Sequence, residues 1–147
     1  MTTEIEAKAE DEQPDRPEPE YAIDPGVIEA RGQSVSAVIG ERLCDAGLAK
    51  LKSPDDWRTM TYKELRKLFK DSCSNQEGYL SPQQPLLETV VRMLLSAKAD
   101  RLSLSKIHGE VSDLWMTSPW PRHIAIESLQ RVLDRGTSHG IVRVEVA

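Results

Sequence analysis

The chain is short of the residues that mark many protein classes. It has two cysteines, Cys44 and Cys73, in 147 residues, too few for a disulfide scaffold. Aromatics make up 5% and hydrophobic residues 39%, both below the usual globular share, so part of the chain is expected not to pack. No apolar run approaches the roughly 18–20 residues that span a bilayer, which argues against any membrane span. Met1 to Asp15 is acidic and polar without an apolar stretch, so no secretory leader is expected there. These absences point to a cytoplasmic chain that does not engage a membrane.

Reactive chemistry is equally sparse. His108, His123 and His139 are scattered, and no C-x-x-C, H-x₃-H or H-E-x-x-H spacing occurs, so no metal site is expected. Neither a G-x-x-x-x-G-K-[ST] nor a G-x-G-x-x-G loop is present to cradle phosphates, and no cofactor is expected. Asp55 and Asp56 read as first-turn helix charges rather than a catalytic pair. The sequence therefore reads as a non-enzyme.

What the sequence does have is an uneven charge. The net charge is −5. Residues 1–33 hold ten acidic and three basic residues, a net −7, while 34–78 and 79–147 each stand at +1. Residues 1–33 read as an acidic, largely disordered tail: apolar residues are few up to Glu20, and Pro14, Pro17 and Pro19 interrupt it. Packing is expected to begin near Tyr21–Ile23 and Val27–Ile28. Such a tail either masks a basic site or simply solubilises.

Residues 34–78 read as a helical region. Val35, Val38, Ile39 and Leu43 share one face of a helix predicted over Ser34–Leu51, though Gly40 and Gly47 each cost about 1 kcal/mol against alanine. A single turn carrying Trp57 follows Ser53-Pro54. Thr61 and Glu64 fit a capping box that opens a helix to about Asp71. Lys63, Arg66, Lys67 and Lys70 form a basic strip on that helix, which suits either a phosphate backbone or plain solvent.

In 79–147, a helix from Ser81-Pro82 to Lys98 carries the wide apolar stripe Leu86–Leu95. A short strand at Leu102–Leu104 leads to a helix capped by Ser105 and running to Met116. The turn Pro119–Pro121 leads to a helix over Arg122–Arg135, with Gly136 placed as a left-handed cap. Ile141–Val146 alternates as a half-buried strand.

This order of elements resembles the winged helix-turn-helix superfamily over 81–147. The resemblance implies a mainly α fold: a helical N-terminal half, a winged-helix-like C-terminal half with a small two-stranded sheet, and the acidic tail. It also implies that Arg122–Arg135 is a recognition helix that enters the DNA major groove. Arg122, His123, Gln130 and Arg131 would then face bases, with Arg135 and Arg143 on phosphates. Lys63, Arg66, Lys67 and Lys70 are the further candidate DNA contacts. The leading expectation is thus a small DNA-binding protein acting on duplex DNA. The competing one is a protein-interaction or assembly module of the same fold, with Trp120, set between two prolines, as its anchor. A homodimer is also expected, from the width of the Leu86–Leu95 stripe.

Overall fold

The computed structural model describes residues 18–76 and 78–144. The part of the expected tail that spans residues 1–17 lies outside the described residues, as do Glu145 and Val146 of the expected last strand. The described residues belong to the fold from Glu18, whose carboxylate accepts from the Ser105 amide. Strand β1 (Glu20–Ile23) is followed by helix α1 (Pro25–Ala30), capped by Asp24, whose carboxylate accepts from the Gly26 amide at 2.8 Å. Pro25 suits the first helical position because its missing N–H would have no partner there.

The single helix predicted over Ser34–Leu51 is two: α2 (Val35–Gly40) and α3 (Asp45–Leu48). Ser34 caps the first, and the Cys44 sulfur caps the second by accepting from the Gly47 amide at 3.3 Å. The break follows Gly40, whose backbone lies against the Trp57 ring. Trp57 sits in the expected single turn, a 3₁₀ turn over Asp56–Thr59. Helix α4 (Tyr62–Ser72) opens with the capping box, Thr61 and Glu64 exchanging bonds of 2.9 and 3.1 Å.

Helix α5 (Leu86–Ser96) is central. It packs against α4 on one side, α6 on another and β1 on a third. Strand β2 (Leu102–Ser103) precedes α6 (Leu104–Trp115), which is capped by Ser103 rather than Ser105, because the Ser103 hydroxyl reaches the Lys106 amide. Helix α7 (Ile126–Asp134) begins four residues later than predicted. A 3₁₀ turn (Gly136–His139) leads to β3 (Ile141–Val144). The left-handed residue is Gly140, at φ 80°, and Gly136 instead packs flat against Ile141.

The protein is mainly α, as expected, but its sheet has three strands where two were expected. The order is β2-β1-β3, antiparallel throughout. The extra strand is β1, from the segment read as tail, and it lies in the middle. Tyr21 pairs with Leu102 on one side and Arg143 on the other, while Ile23 pairs with Ile141. The two-residue strand period turns Tyr21 and Ile23 together toward the helices, and both are buried.

One core cluster runs through the whole fold. It joins Tyr21 and Ile28, Ile39, Leu65 and Phe69 of α4, Val90 and Leu95 of α5, Ile107 and Val111 of α6, and Leu129 and Leu133 of α7. The regions 34–78 and 79–147 thus share a core. It also buries much of the α5 stripe on which the homodimer expectation rests: Val90, Val91, Leu94 and Leu95 are buried by their own chain, while Leu86 and Leu87 are half-buried.

A charged junction ties the corner after α2 to α5. Glu88 accepts from Arg42 Nε and Nη2, both at 2.8 Å, and from Arg92 Nε at 2.9 Å. Burial alone would raise the Glu88 carboxyl, but the bonds from the two guanidinium groups outweigh it and hold its pKa below the ordinary value. A depressed folded pKa gives stability that is present above the unfolded value, about 4.3, and lost as pH falls through the folded one. Urea midpoints followed from pH 7 down to pH 3 should therefore fall less steeply in Glu88→Gln than in the wild type. At pH 7 the variant should be about 2 kcal/mol less stable, between an exposed pair and a fully buried one. Parallel pH curves for the two proteins would remove Glu88 as a source of acid sensitivity.

Candidate functional site

The basic strip of α4 lines a cleft of about 950 Å³ whose apolar floor includes Ile23, Pro25, Tyr62 and Leu94. The floor explains why burial pushes the Tyr62 phenol up to about 12. The four cations are not equivalent. Arg66 is bound inward, to Asp100 at 2.5 Å and to the carbonyl oxygens of Ala97 and Leu94 at 2.8 and 3.2 Å. It thereby supplies donors to carbonyls at the end of α5, where the Leu94 oxygen otherwise accepts only the long 3.4 Å bond from the Ala97 amide. Lys67 pairs with Asp71 at 2.8 Å. Lys63 and Lys70 form no ion pair among the described residues.

The second candidate group surrounds α7. Arg122 lies outside the helix, in an irregular segment over 121–125. Its guanidinium stacks on the Trp115 ring, 4.0 Å from the centroid, and donates to the carbonyls of Pro82 and Gln84 at 2.9 and 3.3 Å. His108 Nε2 meets the Ile124 carbonyl at 2.8 Å and fixes the same segment from α6. These ties hold 121–125 out of helix, which is why α7 starts late. Exposed His123 sits in this segment, and half-buried Gln130 lies on α7.

Arg131 donates to Ser128, and with Arg135 and Leu87 they line a depression of about 380 Å³. Arg143 is taken by Asp134 at 3.0 Å, whose other oxygen accepts the Tyr21 hydroxyl at 2.7 Å. Burial, then the Asp134 carboxylate, push Tyr21 up to about 12, so its hydroxyl keeps the proton it donates.

Of the predicted DNA contacts, Lys63, Arg66, Lys67 and Lys70 line the first depression and Arg131 and Arg135 the second, with no residue in common, while Arg122, His123, Gln130 and Arg143 line neither. Arg66, Lys67, Arg122 and Arg143 are engaged within the chain. Acidic residues, Glu127 and Asp134, stand near the two ends of α7.

Trp120 stands apart from all of these. It is 84% exposed, and Met116 is 68% exposed; they are the two large hydrophobics on the described surface. By contrast, Trp115 is buried and Trp57 is half-buried against Gly40. The loop that carries Trp120 is braced at both ends. At its start the Thr117 hydroxyl donates to the Leu114 carbonyl at 2.7 Å, and at its end come the ties of Arg122 and His108. Met116 was missed by sequence reading, since it directly follows Trp115 where an apolar stripe is ending. The available signal was its place at the helix C-cap, one residue past the last buried position.

Among the described residues, no group of three or more His, Cys, Asp and Glu side chains is placed to hold a metal ion, and no helix is long and apolar enough to cross a membrane. No family model, curated protein or solved structure matches the chain.

Proposed function

We propose that this chain is a non-enzymatic protein-interaction module with a winged-helix-like C-terminal region, and that Trp120 and Met116 form its docking knob. The exposure of these two side chains on a braced loop carries the reading. Tryptophan is enriched among residues that dominate binding energy, and a knob held rigid before contact loses little entropy on docking. The fold reading is supported by the order α5-β2-α6-α7-β3 and by β1, which fills the place of the strand with which a wing would return. The near-neutral charge of 34–147 and the internal engagement of four candidate cations favour a protein over a nucleic acid as partner.

The test is a quantitative pull-down with immobilised wild type and Trp120→Ala, followed by affinity measurement on what is retained. Trp120→Ala should weaken retention at least about 30-fold, the loss of roughly 2 kcal/mol typical of a hot spot, with an unchanged circular dichroism spectrum. Equal retention by the two proteins would overturn the reading.

A second reading, contact with duplex DNA, is favoured by a separate observation: Lys63, Lys70, His123, Arg131 and Arg135 have no ion-pair partner among the described residues. Anisotropy titration with random duplex at low salt separates it from the first. Binding that weakens with salt, and weakens further in Lys63→Ala/Lys70→Ala, supports it; no binding at tens of micromolar protein removes it.

A further inference from the structure

The two cysteines of the chain stand 29 positions apart in sequence but meet in space. Cys44 is the N-cap of α3 and Cys73 the C-cap of α4. The Cys73 sulfur accepts the Cys44 backbone N–H at 3.1 Å. The Cys44 thiol points the same way, toward the Ser72 carbonyl at 3.6 Å, one residue before Cys73. Gly47 makes this approach possible. A side-chain carbon there would lie 3.1 Å from the Cys73 sulfur and 3.4 Å from Leu43, so the glycine leaves room for the thiol. Both cysteines are reduced in this structure.

Their surroundings differ. Cys73 is 2% exposed, and Cys44 is half-buried and reachable from solvent. Burial first, then contact with the Cys44 side chain, push the Cys73 thiol up to about 11. A small oxidant therefore meets Cys44 first, with Cys73 held as the second partner behind it. This is the arrangement of an attacking and a resolving thiol.

We propose that Cys44 and Cys73 are a reversible dithiol–disulfide site that fastens the start of α3 to the end of α4. The oxidant is a low-molecular-weight disulfide of the glutathione type. Cys44, as thiolate, attacks one sulfur of that disulfide and releases one small thiolate, leaving a mixed disulfide on Cys44. The Cys73 sulfur then attacks the Cys44 sulfur, and the second small thiolate leaves with the Cys73 proton. Two protein thiols are oxidised, and one small disulfide is reduced to two small thiols. The bond closes a loop that contains Trp57 and all of α4, and so restricts the unfolded chain more than the folded one.

The test uses the full chain under native conditions, treated with oxidised glutathione and then with dithiothreitol. After oxidation, intact mass should show the loss of two hydrogens, and a peptide map should link Cys44 to Cys73. The chain should run as a monomer on a non-reducing gel. Its melting temperature should rise by about 10 °C and return on reduction. In Cys73→Ser the reaction should stop at a stable glutathione adduct on Cys44, with no such rise. Three outcomes in the wild type would overturn the proposal: two free thiols after treatment, a lasting glutathione adduct, or a bridge between two chains. Each is read by mass on the wild type and does not depend on a variant folding.

Discussion

A chain that begins at Ser34 is expected not to fold. Charge and composition place a boundary after residue 33, yet the segment before it supplies the central strand and the first helix. Its removal exposes the pockets filled by Tyr21, Ile23 and Ile28, all buried. Each such side chain contributes about 1.5–3 kcal/mol on burial, so the three together approach the 5–15 kcal/mol that holds a typical domain. The polar losses add to this. β2 and β3 pair only through β1, so both lose their ladders. Asp134 loses the Tyr21 hydroxyl, and the Gly140 carbonyl loses the Asp24 amide, which donates to it at 2.8 Å. Thermal melts followed by circular dichroism should show a cooperative transition for the full chain and none for residues 34–147. A peptide of residues 18–33 added in trans should restore part of the transition. A cooperative melt of 34–147 at the full-length temperature would mean that β1 adds nothing to stability.

This case shows which parts of the fold sequence reasoning can reach. The Thr61–Glu64 capping box is as expected because its donors and acceptors lie within three residues of one another. The apolar faces of α4 and α5 are as expected because one helical period writes each of them. β1 was out of reach. It has four residues, two of them facing inward, and its ladder partners lie roughly 80 and 120 positions away. The start of α7 was misplaced because Pro121 suits a helix start locally, whereas the ties that keep 121–125 out of helix join Arg122 to the distant Pro82 carbonyl and the Ile124 carbonyl to the distant His108 ring.

The basic residues show the same limit. Sequence gives a cation its sign but not its partner. Arg66 and Arg122 read as free charges until Asp100 and the Pro82 carbonyl are found beside them. Trp120 could be singled out because its prolines are adjacent in sequence, but its exposure depends on a loop fixed from α6 and from the turn before α5.

Gly40→Ala is expected to destabilise the protein by about 3 kcal/mol, against the sign that helix propensity gives. Alanine in a helix is worth about 1 kcal/mol over glycine, so local reasoning makes the change favourable. The opposing effect is steric. A side-chain carbon on Gly40 would lie 2.1 Å from Trp57 Cε3 and 2.2 Å from Cδ2, well inside contact distance. The indole is a rigid plane whose fused-ring carbons lie against Gly40, so it cannot flex away at the contact as the end of a long aliphatic chain would. It must swing out, and its packing against α2 is lost. A melting temperature about 10 °C lower and a red-shifted tryptophan emission should follow. The double-mutant cycle isolates the cause: in a Trp57→Ala background, Gly40→Ala should be neutral or stabilising, because only propensity then remains. If Gly40→Ala alone melts at or above the wild-type temperature, the contact between this glycine and the indole does not decide where α2 ends.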